Sequence, residues 1–232
     1  MCLLNMVAVW AFLPESLKEK MHGRKLSIKP ISSAIKALRE PRFRDLFIIS
    51  FIYITAFSMM QMTIAMYWYD DYALNKTQIG NMFAIVGLGS AIVQGTMVGW
   101  LQRTFGEKNL MIYGALMVAI GLGMIGFIPV EHFLPLSIVS IALLSLGNGS
   151  LSPTLLSQLS RNAEQQEQGE VLGMNQSFGS LARIVGPALG GRLYEYDHSL
   201  PYLVSGVIML GGLYYVNGYL KAAAKARAVI QP

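Results

Sequence analysis

The chain has 232 residues, of which 53% are hydrophobic and only 13% are charged. Soluble domains carry roughly 25% charged residues, so this composition argues against a soluble globular protein. The net charge of +5 could suggest a nucleic-acid partner, but the positions of the charges, given below, argue for a membrane surface instead. The single cysteine, Cys2, excludes an internal disulfide.

Six long apolar runs follow one another along the chain, and each exceeds the roughly 18 residues at which a transmembrane helix is suspected. Backbone polar groups in lipid must be satisfied within their own segment, so each run is predicted to be a helix. The sequence therefore predicts an all-α polytopic membrane protein in which residues 46–220 form one bundle of six transmembrane helices. The runs cover residues 46–69, 77–102, 109–130, 133–160, 171–191 and 198–220.

The distribution of Lys and Arg between the connecting segments predicts the orientation of the bundle. Fifteen of them fall in the segment before the first run, in every second loop after it and in the tail, whereas two, Lys76 and Arg192, fall on the opposite side. Short cytoplasmic loops are enriched in Lys and Arg, so the side with fifteen is predicted to be cytoplasmic, together with the tail at 221–232. The lipid bilayer is thus the expected partner, and nucleic acid is not.

Two segments precede the first run. Residues 1–13 are apolar but too short to span a bilayer, and they lack the basic start and cleavage site of a signal peptide. We interpret them as the end of a truncated transmembrane helix. Residues 14–45 are then a basic cytoplasmic linker, in which apolar residues from Ile31 to Leu38 have helical spacing. That spacing is typical of an amphipathic helix on the membrane surface, and equally of a solvated linker helix.

A glycine-bounded motif lies between the second and third runs, and it carries a family resemblance. The residues from Gly99 to Lys108 read Gly-Trp-Leu-Gln-Arg-Thr-Phe-Gly-Glu-Lys. They resemble the cytoplasmic loop motif Gly-x-Leu-Ala-Asp-Arg-x-Gly-Arg-Lys of the major facilitator superfamily, with Gly106 aligned to its second glycine. Arg103 stands where that motif has Asp, as often in its C-terminal copy. The chain looks like the C-terminal half of such a transporter, which implies a separate N-terminal six-helix half as partner.

A second motif lies in the fifth run. Its sequence, from Gly179 to Gly191, resembles the Gly-Pro-x-x-Gly-Gly helix motif of antiporters. An intramembrane Arg before the Gly-Pro pair resembles the pattern of the drug:proton antiporter branch, which includes the tetracycline exporters. Proline removes a backbone hydrogen bond and glycines allow close helix approach. The resemblance implies a gating helix, and ordinary helix packing is the alternative. The residues concerned are Gly179, Gly186, Pro187, Gly190 and Gly191.

Arg183 is the one Lys, Arg, Asp or Glu inside the six runs. A charge near the middle of a bilayer is costly, so we expect Arg183 to face the bundle interior or a water-filled cavity. Snorkelling toward the cytoplasm past the polar start of its helix is the alternative. Since no Asp or Glu lies in any run, a proton-coupling acid is expected in the N-terminal half rather than here.

Polar side chains in the first, second and fourth runs complete the candidate site. In the superfamily, the first and fourth helices of each half line the central cavity, so the resemblance makes Tyr53, Gln61 and Asn148, with Gln94 of the second run, candidates for contact with a small-molecule substrate. Hydrogen bonding between helices is the simpler role for each of them.

The sequence shows no enzyme motif, no metal-ligand pair and no cofactor signature. It predicts half of a secondary transporter of the plasma (inner) membrane, which exports drugs or other small molecules by alternating access with proton antiport. The alternatives are a metabolite or sugar carrier on the same fold, and a non-transporting fragment or subunit that needs a separate N-terminal half.

Overall fold

The computed structural model of the protein describes residues 40–92, 95–96 and 98–230. The expected partial helix at 1–13 and most of the linker at 14–45 lie outside this part of the chain. Six long α-helices account for most of what is described, and a short 3-10 turn, Val130–His132, precedes the fourth. They are α1 (Pro41–Asp70), α2 (Lys76–Ile92), α3 (Val98–Ile125), α4 (Phe133–Asn162), α5 (Gln168–Tyr194) and α6 (Leu200–Ile230).

Local sequence explains where several helices begin. Pro41 occupies the first turn of α1, where a missing backbone N–H has no consequence. At the start of α2, the Asn75 side chain accepts from the Gln78 backbone N–H at 2.9 Å, and the Gln78 side chain accepts from the Asn75 N–H at 2.9 Å. This reciprocal pair is a capping box.

The start of α6 is fixed by an aspartate. The Asp197 carboxylate accepts from the Ser199 backbone N–H at 2.8 Å and from the Ser199 hydroxyl at 2.5 Å. These two donors hold the pKa of Asp197 below its ordinary value, because both favour the ionised carboxylate.

The connection expected at 103–108 is tighter than the sequence indicated. The backbone remains helical up to Gly106, which has φ 72° and ψ 156°, and becomes helical again directly after it. A single glycine in the left-handed half of backbone space therefore ends one helix and starts the next. Each of the six predicted runs contains described helix, and the second run is described as helix over residues 77–92 and 98–102.

By length and composition, three helical segments of the described chain could cross a membrane: Pro41–Asp70, Val130–Asn162 and Leu200–Lys221. The other runs fall short for physical reasons. The break at Gly106 leaves a shorter apolar helix, Asn109–Ile125, and α5 contains Arg183 and a polar first half.

The bundle is organised around α1 and α3. Helix α1 packs along α5 and α6, and α3 packs along α4 and α6, so that α6 joins the two groups. Buried side chains of α1, such as Phe47 and Met59, and of α3, such as Met111 and Leu122, form the centre. Helix α2 touches mainly α4, and its side chains Phe83 and Leu88 are exposed. The loose fit of α2 leaves a space between α1, α2 and α4.

Candidate functional site

A hydrogen bond joins two of the polar residues singled out in the sequence. The Tyr53 hydroxyl of α1 donates to Oδ1 of Asn148 in α4. The Tyr53 side chain is buried, and its ring lies 6.1 Å from the ring of Phe57, one turn along α1. The pairing fixes the first and fourth helices of the bundle to each other at this depth.

Arg183 of α5 acts on this pair through its charge. Its guanidinium interacts electrostatically with the Tyr53 hydroxyl, and its Nη1 atom is 3.5 Å from the position that a Cβ would take on Gly179, one turn earlier in α5. The Arg183 side chain is exposed in the described bundle, and no carboxylate of the described chain forms an ion pair with it. The charge is therefore free to meet an anion or a polar group from outside these six helices.

A cavity of about 150 Å³ extends from Asn148 between α1, α2 and α4. Gln61 lines it and is exposed to its opening, and Phe57 forms part of the same wall. Two of the predicted residues, Gln61 and Asn148, thus line this cavity, and the buried Tyr53 is hydrogen-bonded to Asn148 behind it. Gln94, the fourth polar candidate, lies outside the described residues.

The Gly-Pro helix packs closely against α1 through part of its glycine set. A Cβ added to Gly186 would stand 2.7 Å from the Thr55 carbonyl oxygen, and one added to Gly190 would stand 2.7 Å from Cγ of Met59. The Ser58 hydroxyl donates to the Ala182 carbonyl across the same contact at 3.3 Å. Gly191, by contrast, faces open space.

Pro187 and Gly179 complete the picture of this helix. Pro187 lies within α5, which continues through it to Tyr194. A Cβ on Gly179 would meet Cδ1 of Ile54 at 3.1 Å, so Gly179 also faces α1. The motif therefore supplies a close α1–α5 crossing, and Arg183 lies on the part of α5 that forms it, with its guanidinium near Gly179.

One residue of the loop motif, which the sequence analysis did not single out, forms hydrogen bonds between helices. Gly99 and Arg103 are exposed, a Cβ on Gly99 would meet nothing, and the side chain of Lys108 lies outside the described set. Glu107, however, which stands where the superfamily motif has Arg, accepts hydrogen bonds from the end of α4. Its partners are Arg161 at 3.0 Å, Gln158 at 2.7 Å and Ser157 at 3.3 Å.

The Glu107 cluster extends to α6. The Tyr219 hydroxyl donates to Gln158 Oε1 at 3.1 Å and accepts from Asn162 Nδ2 at 2.8 Å. Helices α3, α4 and α6 are thus joined at one end of the bundle by a polar network. A spacing rule could not have found it, because its members are up to about a hundred residues apart; the unusual Glu in the motif was the available signal.

A second group of polar contacts lies at the other end of the bundle, where α1 and α5 end. The Tyr194 hydroxyl at the end of α5 donates to Asp70 at 2.8 Å, and His198 Nδ1 lies 2.9 Å from Asp71 Oδ1. The rings of Tyr194 and His198 stack with centroids 4.3 Å apart. This contact holds the α5–α6 connection against the end of α1, and His198 had no role in the sequence interpretation.

The described residues thus form an all-α bundle of long apolar helices, with an exposed charged side chain, Arg183, on α5. The sequence profile of the Major Facilitator Superfamily matches residues 46–229, which is most of the chain. The chain therefore belongs to this superfamily, whose members are transporters rather than enzymes.

Individual relatives agree with this assignment. The chain is 29% identical over 208 residues to multidrug resistance protein 2 of Bacillus subtilis, an alignment that covers 87% of this chain and 50% of the relative. It is 27% identical over 210 residues to solute carrier family 22 member 18 of Mus musculus, covering 83% of this chain and 48% of the relative. The chain thus spans about half the length of the curated relatives it matches.

A solved structure shows the same fold. The crystal structure of the human organic anion transporter MFSD10 superimposes with a TM-score of 0.77 at 20% identity. The match covers 92% of this chain and 54% of that one. At this identity the likeness establishes the arrangement of the helices.

Proposed function

We propose that this chain is one half of a secondary transporter that exports drugs or other small molecules by alternating access. In such carriers two helix bundles rock about a site near the middle of the membrane and expose it to each face in turn. Membership of the superfamily and the length of the relatives support this proposal. A second six-helix half is then the partner that supplies the other wall of the cavity.

The observation that carries the proposal is the grouping of Arg183 with the Tyr53–Asn148 pair. The Arg183 side chain is exposed and has no carboxylate partner in the described helices. An unpaired charge within a membrane-spanning helix is expected to serve a substrate or ion pathway. Tyr53 and Asn148 are hydrogen-bonded to each other, and Asn148 and Gln61 line the cavity between α1, α2 and α4. These residues are our candidates for substrate contact.

Drug export is favoured over other cargoes by the named relative from Bacillus subtilis, a multidrug resistance protein. Proton antiport is the coupling we propose. The six apolar runs contain no Asp or Glu, so the group that gains and loses the proton belongs to the other half.

Orientation and gating are further parts of the proposal. The excess of Lys and Arg on one side of the bundle favours a cytoplasmic C-terminus in a plasma (inner) membrane. The close α1–α5 crossing at Gly186 and Gly190 is suited to movement of α5 together with α1 as one rigid body. A bend of α5 at the Gly-Pro motif would then help to close the cavity on one side of the membrane during alternating access.

A carrier of metabolites or sugars on the same fold is the alternative. The test is transport by the chain reconstituted in liposomes together with its N-terminal six-helix half, under an imposed pH gradient, with ethidium, tetracycline and glucose as cargoes. The proposal expects gradient-driven movement of ethidium or tetracycline and none of glucose. Glucose transport alone would establish the carrier alternative, and movement of none of the three would support a non-transporting subunit.

A further inference from the structure

One hydroxyl group in the cavity between α1, α2 and α4 differs from its neighbours. Ser137 of α4 lines the cavity and is 3% exposed, and its Oγ atom has no hydrogen-bond partner in the described structure. Buried hydroxyl groups are normally paired, since burying one unpaired is unfavourable. The Ser137 hydroxyl is therefore available to a molecule that enters the cavity.

The other serines of the cavity are already engaged. The Ser140 hydroxyl donates to the Gly121 carbonyl at 2.8 Å, and the hydroxyls of Ser90 and Ser145 lie 3.0 Å apart. A serine within a helix can also bond back to the carbonyl four residues earlier, as Ser177 does at 3.0 Å. Ser137 makes neither kind of contact, so a simple packing role does not explain its hydroxyl.

Aromatic rings form much of the wall around Ser137. The rings of Tyr72 and Phe133 have centroids 4.3 Å apart, and those of Trp68 and Phe83 are 5.4 Å apart. All four line the cavity, and none of the residues lining it is charged. Such a wall favours an uncharged ring, because aromatic groups attract one another by offset or edge contacts and a bare charge would be desolvated without a partner.

The size of the cavity sets the size of the occupant. Its volume is about 150 Å³. An engineered protein cavity of about this volume holds benzene. One six-membered ring with a single polar substituent therefore fits, and a fused polycyclic molecule does not fit entirely.

We propose that this cavity binds a phenolic ring, whose hydroxyl pairs with Ser137. The inference rests on the proposed function, since it assigns the ring to the inserted part of a transported molecule. Asn148 lines the cavity and accepts from Tyr53, next to Arg183, so the rest of that molecule would extend toward these polar groups. The substrate class is then an uncharged phenolic ring on a polar or anionic body.

The test is binding of 4-bromophenol and bromobenzene to the protein in nanodiscs, because bromine quenches tryptophan fluorescence on contact. Substituting Trp10→Phe and Trp100→Phe leaves Trp68, in the cavity wall, as the reporter. Saturable quenching by both probes is expected. Ser137→Ala should weaken 4-bromophenol by about threefold to tenfold, the value of one net hydrogen bond, and bromobenzene by less than about twofold.

Ser140→Ala is the matched control, since its hydroxyl lines the same cavity but is already paired. It should change the two affinities by the same factor. Comparing two probes on one variant removes any effect of folded yield. A protein with Trp100 as its reporter, made with Trp10→Phe and Trp68→Phe, measures partition of the probes into lipid.

Two results would overturn the inference. One is quenching of Trp68 that never saturates and matches the quenching of Trp100, which means that the probes are in the lipid. The other is an equal loss of both probes in Ser137→Ala. Neither measurement requires transport, so a failure of phenol binding can be told apart from a failure of the proposed function, which the liposome assay tests separately.

Discussion

A Cβ added to Gly186 of α5 would lie 2.7 Å from the carbonyl oxygen of Thr55 in α1. The two helices therefore meet backbone to backbone, with no room for a side chain at the crossing. Arg183 precedes Gly186 by one turn, so the same close approach brings its charge within electrostatic range of Tyr53 in α1. The glycine motif and the polar site are thus two consequences of one helix contact.

Substitution of Gly186 by alanine is expected to destabilise the bundle. The new methyl group must move α5 away from α1, and overpacking of this kind costs about 1–3 kcal/mol. The free energy of unfolding can be measured by SDS titration in mixed micelles. Gly191→Ala is the control, because its Cβ would meet open space. Equal stability of the two variants would contradict the close crossing.

The Tyr53–Asn148 hydrogen bond is expected to appear as an energetic coupling between α1 and α4. A double-mutant cycle with Tyr53→Phe and Asn148→Ala isolates the pair from the separate effects of each change. Interhelical hydrogen bonds in membranes are worth about 0.6 to 1.7 kcal/mol, and the coupling should fall in this range. A cycle of Tyr53→Phe with Ser152→Ala should give none, because Ser152 forms no hydrogen bond with Tyr53 in the described structure. A Tyr53–Asn148 coupling of zero would show that the pair does not join the two helices energetically.

Glu107 is expected to stabilise the end of the bundle where α3, α4 and α6 meet. Glu107→Ala would leave Gln158 and Arg161 without their carboxylate, at a cost of roughly 1–3 kcal/mol. Glu195→Ala is the comparison, because it breaks an ion pair with Arg192 in which the Arg192 side chain is 71% exposed and the Glu195 side chain is 66% exposed. Exposed pairs are worth about 0–1 kcal/mol. Thermal unfolding of both purified variants measures the two losses of stability. A larger loss for Glu195→Ala than for Glu107→Ala would contradict the prediction.

The proposed orientation predicts which loops can be labelled from outside intact cells. In a Cys2→Ser background, a cysteine in place of Lys76, the first residue of α2, should react with a membrane-impermeant maleimide. A cysteine in place of Glu164, between α4 and α5, should react only after permeabilisation. Both side chains are exposed, so burial does not confuse the comparison. The reverse pattern of labelling would place the C-terminus outside.

The helices could be predicted from the sequence because apolar runs of membrane length are long, strong signals. Their ends were less well defined. Helix α1 begins at Pro41, five residues before the first run, and α6 continues to Ile230, ten residues beyond the last. Apolarity marks the part of a helix suited to lipid, whereas the helix itself continues as long as its backbone hydrogen bonds are made.

The site was only partly accessible to sequence reasoning. Tyr53, Asn148 and Arg183 were selected as single residues, but their grouping depends on the α1–α5 crossing and on pairing across 95 residues. Ser137 and Glu107 were missed for different reasons. A serine in a run of apolar residues carries no signal of an unpaired hydroxyl, and Glu107 was treated as a departure from a motif rather than as a partner for α4.

The central claim is that Arg183 serves the transport pathway, and the most direct measurement is drug efflux by cells producing Arg183→Ala. We expect transport to fall by about tenfold or more with membrane expression unchanged, because a hydrogen bond to a charged group is worth about 1.5–3 kcal/mol and about 1.4 kcal/mol corresponds to tenfold. Arg183→Lys should retain part of the activity, and Arg192→Ala, at an exposed ion pair, should retain all of it. Normal efflux by a well-expressed Arg183→Ala variant would contradict the claim.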